Sequence, residues 1–386
     1  MSRLPWLVFT LPAGVITDRF DRKKIIVSMN LSQGVLALIL ALTIFLERNS
    51  LPDLNSVADA ANFETNYSLY IALLLISLFF GFTEVLRDNA GQTFLPSVVE
   101  KEQLESANGK LWSAEYVMNS FIGPPIASFI FGIAVFLPFF IHSGTFFIAA
   151  ALIGLISKIA QPNLLQDEKK PINFKAEISE GFRWLWRHSL LRPMAIILGS
   201  LNLVGSLTAA TFILFAQEIL RTSVFEFAIL GTAGAVGGVL GGIVGPKISK
   251  KFGSGPSLYA TLIAMPLLGL VIGFTSNWVV VWAMIFLTTN FAVLWNVITV
   301  SLRQSIIPTE LLGRVNSVYR FFAWGSMPIG TLIGGALVSL TEGVANREIA
   351  LRMPYFAALL FGIIIFIFAA PRLTTEKIEA ARSEGQ

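Results

Sequence analysis

Eleven apolar runs, separated by short polar segments, set the pattern of this chain. They fall at about residues 4–17, 25–46, 69–89, 109–131, 135–157, 193–216, 225–246, 257–274, 277–300, 315–340 and 354–370. Most are about 18 to 25 residues long and hold few charges, the length of helix that crosses a hydrocarbon core of about 30 Å. Backbone N–H and C=O groups find no partners in lipid, so such segments must be helices bonded within themselves. The pattern predicts an all-α membrane protein. The first run, about 14 residues, is too short to cross alone.

Charge supplies the orientation. With the connection Asp18 to Lys24 placed in the cytoplasm, alternate loops become cytoplasmic, and lysine and arginine divide about 23 to 4 in favour of that side. The basic group includes Arg19, Arg22, Lys23, Lys24, Arg87, Arg183, Arg187, Arg303, Arg314, Arg320 and Arg382, against Arg48, Arg221, Arg347 and Arg352 outside. The C-terminus is then cytoplasmic. An odd number of spans leaves the N-terminus outside, which with the short first run predicts that one helix and the start of the next are missing. The expected organisation is an N-terminal bundle of five visible helices (1–160), a cytoplasmic linker (161–192), a C-terminal six-helix bundle (193–371) and a cytoplasmic tail (372–386). In the linker, Phe174, Ile178, Phe182 and Leu185 recur at helical spacing among Trp184, Trp186, Lys175, Arg183 and Arg187. That reads as an amphipathic helix on the inner membrane surface, or more plainly as a solvated linker. The polar segment from Asn49 to Tyr67 reads as an inserted outer loop. Met1-Ser2-Arg3 begins no signal-peptide pattern.

The composition, 54% hydrophobic and 13% charged, sits far from the roughly 25% charged of a soluble domain. The net charge of +4 belongs to topology, and nucleic acid is not an expected partner. There is no cysteine, and the only histidines, His142 and His188, stand alone in different segments. No metal, cofactor or enzymatic chemistry is expected.

The chain also resembles itself. At an offset of about 208, Val85 to Ile122 aligns without a gap onto Val293 to Gly330, pairing Asp88 with Asn296, Glu102 with Glu310 and Asn108 with Asn316. Gly14 and Arg22-Lys23 match Gly242 and Lys250-Lys251 at an offset of about 228, and the outer loop reconciles the two offsets. Two parallel bundles with a substrate site at their interface are the architecture such a repeat implies.

The densest chemistry lies in Gly14-Val-Ile-Thr-Asp18-Arg19-Phe-Asp21-Arg22-Lys23-Lys24. A glycine permits close helix approach, and an aspartate at the membrane boundary can neutralise Arg19 or Arg22 and face the positive N-terminus of a helix in the other half. Such a contact exists in only one conformation, which makes it a latch. A plain topogenic loop is the alternative. The pattern G-x-x-x-D-R-x-x-R-K-K resembles the loop signature between helices 2 and 3 of the major facilitator superfamily. That resemblance implies a gating role for Gly14, Asp18, Arg19, Arg22 and Lys23, and a major facilitator fold whose first helix, a cavity-lining one, is absent here. Asp21 stands where the signature usually has glycine. The stretches EVLRDNAGQTFLPSVV, ANGKLWSAEYVMNSFIGPP, EGFRWLWRHSLLRP and LLGRVNSVYRFFAWGSMPIGTLIGG resemble the branch containing enterobactin-type siderophore exporters and macrolide efflux proteins. Gly123-Pro124-Pro125 resembles an exporter pattern, or simply bends its helix.

Charges inside spans face cavities or partners. Glu84, Arg87, Asp88 and Glu115 fall at similar depth in neighbouring spans. Arg87 is expected to pair with Glu115 or Glu84, and a carboxylate partly freed from such a pair is the candidate proton carrier; a static ion pair, or direct contact with the substrate, is the alternative. Gly231, Gly234, Gly237, Gly238, Gly241, Gly242 and Gly245 form a small-residue packing surface. Trp112, Trp295 and Trp324 are candidate cavity-wall residues. The expected function is a secondary active transporter in the bacterial inner membrane. It would be a monomer exporting amphiphilic small molecules, such as a drug, macrolide or siderophore, in exchange for protons. The alternatives are an importer or lysolipid transporter of the same fold, and an inactive or sensor-like relic.

Overall fold

A computed structural model describes residues 4–48, 67–156 and 173–384. The outer-loop residues 49–66 and linker residues 157–172 lie outside the described residues. The first half comprises α1 (Leu4–Arg19), α2 (Arg22–Leu46), α3 (Tyr67–Phe94), α4 (Leu104–Tyr116), α5 (Gly123–Ile133) and α6 (Leu137–Leu155). Helix α7 (Phe174–Arg187) follows the linker. The second half comprises α8 (Leu191–Ala209), the single turn α9 (Phe212–Leu214), α10 (Val224–Phe252), α11 (Ser254–Phe274), α12 (Trp278–Ile306), α13 (Leu312–Glu342) and α14 (Arg347–Ala369), with a tail helix α15 (Thr375–Glu384). No strand occurs among the described residues.

Among the described residues, ten stretches are long and apolar enough to cross a membrane. Helix α1, at 16 residues, is not one of them, because at about 1.5 Å per residue it reaches only about 24 Å. Helices α4 and α5 form one crossing, Lys101–Ile133, joined by a π turn at Val117–Ile122. Pro124 and Pro125 have no N–H to donate, so the ladder slips and the Gly123 amide bonds Met118 O, five residues back. The proline pair therefore bends this helix by a defined mechanism. A second π turn, Phe215–Ile219, follows the break after α8.

Two seams join the halves. In one, α1 crosses α13; in the other, α4 crosses α10 and α12. Both depend on glycine. A Cβ on Gly14 would lie 2.6 Å from Gly313 O and strike Ser317, and one on Gly242 would strike Ser113 and the backbone of Gly109. The glycine run of α10 splits between two faces: Gly237 and Gly241 press on the α12 backbone, while Gly238 lies beneath the Tyr116 ring of α4. The largest core cluster sits at the basic end of the second half. It gathers Leu185 of α7, Met194 of α8, Trp295 and Ile298 of α12, Tyr319 of α13, Leu373 just before α15 and Ile378 within it, so the tail helix is packed into the fold.

Three of the basic residues counted on the inner side lie within helices and not in loops. Arg87, Arg303 and Arg320 lie within α3, α12 and α13, and Arg303 and Arg320 are buried.

Gly14→Ala and Gly242→Ala each force a seam apart and are expected to cost about 1–3 kcal/mol, read as a lower melting midpoint in detergent. Gly132→Ala, whose Cβ meets nothing within 4 Å, should leave it unchanged or raise it.

Candidate functional site

Asp18 ends α1, 4% exposed, and its carboxylate points into the start of α13. Oδ1 accepts the Gly313 amide at 2.6 Å and Oδ2 accepts the Arg314 amide at 2.9 Å and Arg314 Nε at 3.1 Å. Those amides are among the four that a helix N-terminus leaves without internal partners, and the positive end of the helix dipole faces the carboxylate. Arg22 lies 3.6 Å from Oδ1 and donates to Thr93 O of its own half at 3.1 Å and to Thr309 O of the other at 2.5 Å. Helix α7 backs this group. Glu177 accepts Arg19 through both oxygens, at 2.5 and 2.9 Å, and Glu180 accepts Arg314 Nη1 at 2.5 Å.

Four of the five motif residues gather here, Gly14 among them through its contact with α13. Lys23 does not. It donates to Gly154 O at 2.8 Å and Ile156 O at 2.5 Å, capping the end of α6. Asp21, where a glycine would be usual, is the N-cap of α2 and accepts the Lys24 amide at 3.0 Å. Its φ of −58° is ordinary, so the turn needs no glycine.

Deeper in the bundle the repeat becomes a reciprocal clasp. Asn108 of α4 donates to Ser301 Oγ at 3.0 Å and Gln304 Oε1 at 2.7 Å of α12. Its repeat partner Asn316 of α13 donates to Asn89 Oδ1 at 3.3 Å and Gln92 Oε1 at 3.1 Å of α3. Gln304 returns a bond to Gln92 O at 2.8 Å, so each asparagine reaches across to the other half.

The candidate coupling residues are arranged differently from the expectation. Asp88 forms its ion pair with Arg320 of the opposite half. Arg87 pairs with neither Glu84 nor Glu115; its guanidinium sits 5.7 Å from the Phe146 ring. Glu115 is exposed within its helix and, among the described residues, neither it nor Glu84 forms an ion pair. Arg320 also lies 4.6 Å over Trp6, and Trp6 packs on Trp324 at 5.2 Å. Arg303, 5% exposed, lies 4.0 Å over the Tyr319 ring, and its Nε and Nη1 have no hydrogen-bond partner among the described residues.

Sequence reasoning counted Arg314 and Arg320 only as inner-side charges and gave them no partner. For Arg320 the available signal was its position inside the apolar run 315–340, where an arginine needs a partner; for Arg314, just before that run, the sequence carried no such signal. Of the three tryptophans, Trp324 joins the seam with α1 and Trp112 is half-buried beside Tyr116. Trp295 is buried in the core and borders a cavity of about 270 Å³ with Asn202, Asn296 and Met327.

Burying one ion costs several kcal/mol. Three charge-assisted hydrogen bonds, at about 1.5–3 kcal/mol each, offset that cost for Asp18 only while α13 is seated. The group therefore holds the basic end of the seam shut and loses its stabilisation on opening.

A sequence model of the Major Facilitator Superfamily matches residues 4–331. The enterobactin exporter EntS of Shigella boydii serotype 18 (strain CDC 3083-94 / BS512) is 24% identical over 364 residues, covering 92% of this chain and 78% of that protein. EntS of Escherichia coli O127:H6 is similar to the same extent. Among solved structures, a bacterial homologue of the iron transporter ferroportin in an outward-facing state superposes with a TM-score of 0.73 at 19% identity, covering 96% of this chain and 89% of that one. The transporter FucP in the outward conformation gives 0.67 at 17%, covering 96% and 88%.

Asp18→Asn keeps the shape and removes the charge. It is expected to weaken closure by about 2–4 kcal/mol, seen as a longer distance between spin labels at the basic ends of α1 and α13; the absence of cysteine makes such labelling clean. Asp88→Asn and Arg320→Gln, combined in a double-mutant cycle, should show a coupling of about 1 kcal/mol or more in the same distance equilibrium, whereas Glu84→Gln with Arg320→Gln should be additive.

Proposed function

We propose that this chain, which belongs to the Major Facilitator Superfamily, is a secondary active transporter that exports amphiphilic small molecules from the cytoplasm in exchange for protons. The observation that carries the reading is the set of bonds across the seam. Those of Asp18, Arg22, Asn108, Asn316 and Asp88 join opposite halves and lie from the basic end inward to the level of Arg320. With the basic loops in the cytoplasm, this is a conformation closed to the inside. Rocking of the two halves about a midplane site then requires that these bonds break together.

Proton coupling enters at Asp88. A proton reaching Asp88 or Glu115 from the outer side removes negative charge opposite Arg320, loosens the cross-half pair and lets the inner end part. Loss of that proton to the cytoplasm restores the pair and recloses it. Export of an amphiphile is supported by the likeness to enterobactin exporters and by cavities in the second half that combine apolar walls with the amides of Asn202 and Asn296. The expected location is the bacterial inner membrane, with the C-terminus cytoplasmic and the chain acting as a monomer.

Reconstituted into vesicles with an imposed proton gradient, the protein should drive accumulation of a fluorescent amphiphile. Glu115→Gln or Asp88→Asn should abolish gradient-driven accumulation while substrate exchange at equal pH persists. A complete lack of gradient-dependent flux over a broad substrate panel would sink antiport, and unchanged pumping by the doubly substituted protein would remove this pair from the coupling.

A further inference from the structure

Helix α7 carries three distinct flanks. Glu177, Gly181 and Leu185, one turn apart, are buried against the bundle. A Cβ on Gly181 would sit 2.9 Å from the Arg314 side chain, so the helix lies directly on the latch. The second flank is aromatic: Phe182 and Trp186 are 40% and 43% exposed, stack on each other at 5.3 Å, and both reach Phe322 of α13 at 6.3 Å. The third is basic. Arg183 and Arg187 are exposed and one turn apart, and with Trp184, His188 and Glu180 they border an open cavity of about 500 Å³.

The charge in this cavity is unbalanced. Among the described residues, Glu180, the one carboxylate lining it, is taken by Arg314 at 2.5 Å, and neither Arg183 nor Arg187 forms an ion pair. Arg183 donates to the Ser179 carbonyl at 3.2 Å. His188 Nδ1 accepts the Leu190 and Leu191 amides, each at 3.2 Å, which places its ring proton on Nε2. The site thus offers two guanidiniums beside exposed aromatic rings, at the end of the bundle where the helices leave the bilayer. Guanidinium pairs bind phosphate through paired N–H donors, and aromatic rings settle at the headgroup level.

We propose that this flank binds the headgroup of an anionic phospholipid, with its acyl chains along Phe182, Trp186 and Phe322, and that the bound lipid holds the gate closed. The coupling is mechanical. Helix α7 grips Arg19 of the first half through Glu177 and Arg314 of the second through Glu180, so a lipid that pins α7 to the membrane surface stabilises the closed seam. The proposal rests on the orientation given above, with α7 at the cytoplasmic leaflet.

The test uses the full chain in vesicles of phosphatidylcholine alone or with three parts in ten phosphatidylglycerol. Quenching of tryptophan fluorescence by brominated phosphatidylglycerol, relative to brominated phosphatidylcholine, reports selectivity. The doubly substituted Arg183→Gln/Arg187→Gln protein is expected to lose on the order of thirtyfold in selectivity, from the contribution of each basic residue near an anionic surface. A cysteine at Ser301→Cys, buried in the clasp, reports opening through its rate of maleimide modification. That rate should fall severalfold with phosphatidylglycerol, and the fall should vanish in the substituted protein. Equal selectivity of the two proteins overturns the site, as does selectivity lost to an acidic peptide or RNA added as competitor. An unchanged Ser301→Cys rate overturns the coupling. A Ser383→Cys tag labelled by impermeant reagent from the outside of oriented vesicles would instead show that the orientation itself is wrong.

Discussion

The closed seam depends on one carboxylate that has given up water. Asp18 is stable where it lies because the first amides of α13 and the Arg314 guanidinium replace its hydration. Those donors belong to the other half of the molecule, so the carboxylate is satisfied in one relative position of the halves and costly in any other. The glycines at Gly14 and Gly313 are a condition of this, since any side chain there would hold the helices too far apart for the carboxylate to reach.

The two seams are related by the internal repeat but are not equivalent. Gly14 has its counterpart in Gly242, and each packs on a Gly-x-x-x-Ser surface across the interface, Gly313/Ser317 and Gly109/Ser113. Asn108 and Asn316 mirror each other's hydrogen bonds. At the offset that pairs the glycines, however, Asp18 corresponds to Pro246, which packs against Gly109. One seam therefore closes on a buried charge and the other on glycine packing and neutral hydrogen bonds. Electrostatic control of opening is concentrated at α1 and α13. There α7 adds Glu177 and Glu180, while the tail helix reaches the first half separately through Arg382 and Glu105 at 2.8 Å.

The charges further along the seam form a second layer. Asp88 and Arg320 join the halves, Glu115 forms no ion pair among the described residues, and Trp6 and Trp324 close the layer from the side of α1. An ion pair between moving bodies is a natural place for a proton to act, because neutralising one member removes an attraction that only the closed state possesses.

Run length determined the all-α membrane fold, because lipid excludes unpaired backbone, while charge asymmetry and the repeat supplied the expected split into two bundles and the expected direction of each helix. The motif around Asp18 was legible because its spacing places a carboxylate and two arginines within one helical turn of a boundary. Only the tertiary structure decided the partners. It gave Lys23 to the end of α6, made Asp21 a helix cap, paired Asp88 with Arg320 of the other half, and set Arg87 over the Phe146 ring instead of beside Glu84 or Glu115. Periodicity fixes which face of a helix a side chain occupies, but which charge meets which across the seam depends on how two bundles dock. That docking is set by glycines and amides far apart in the chain.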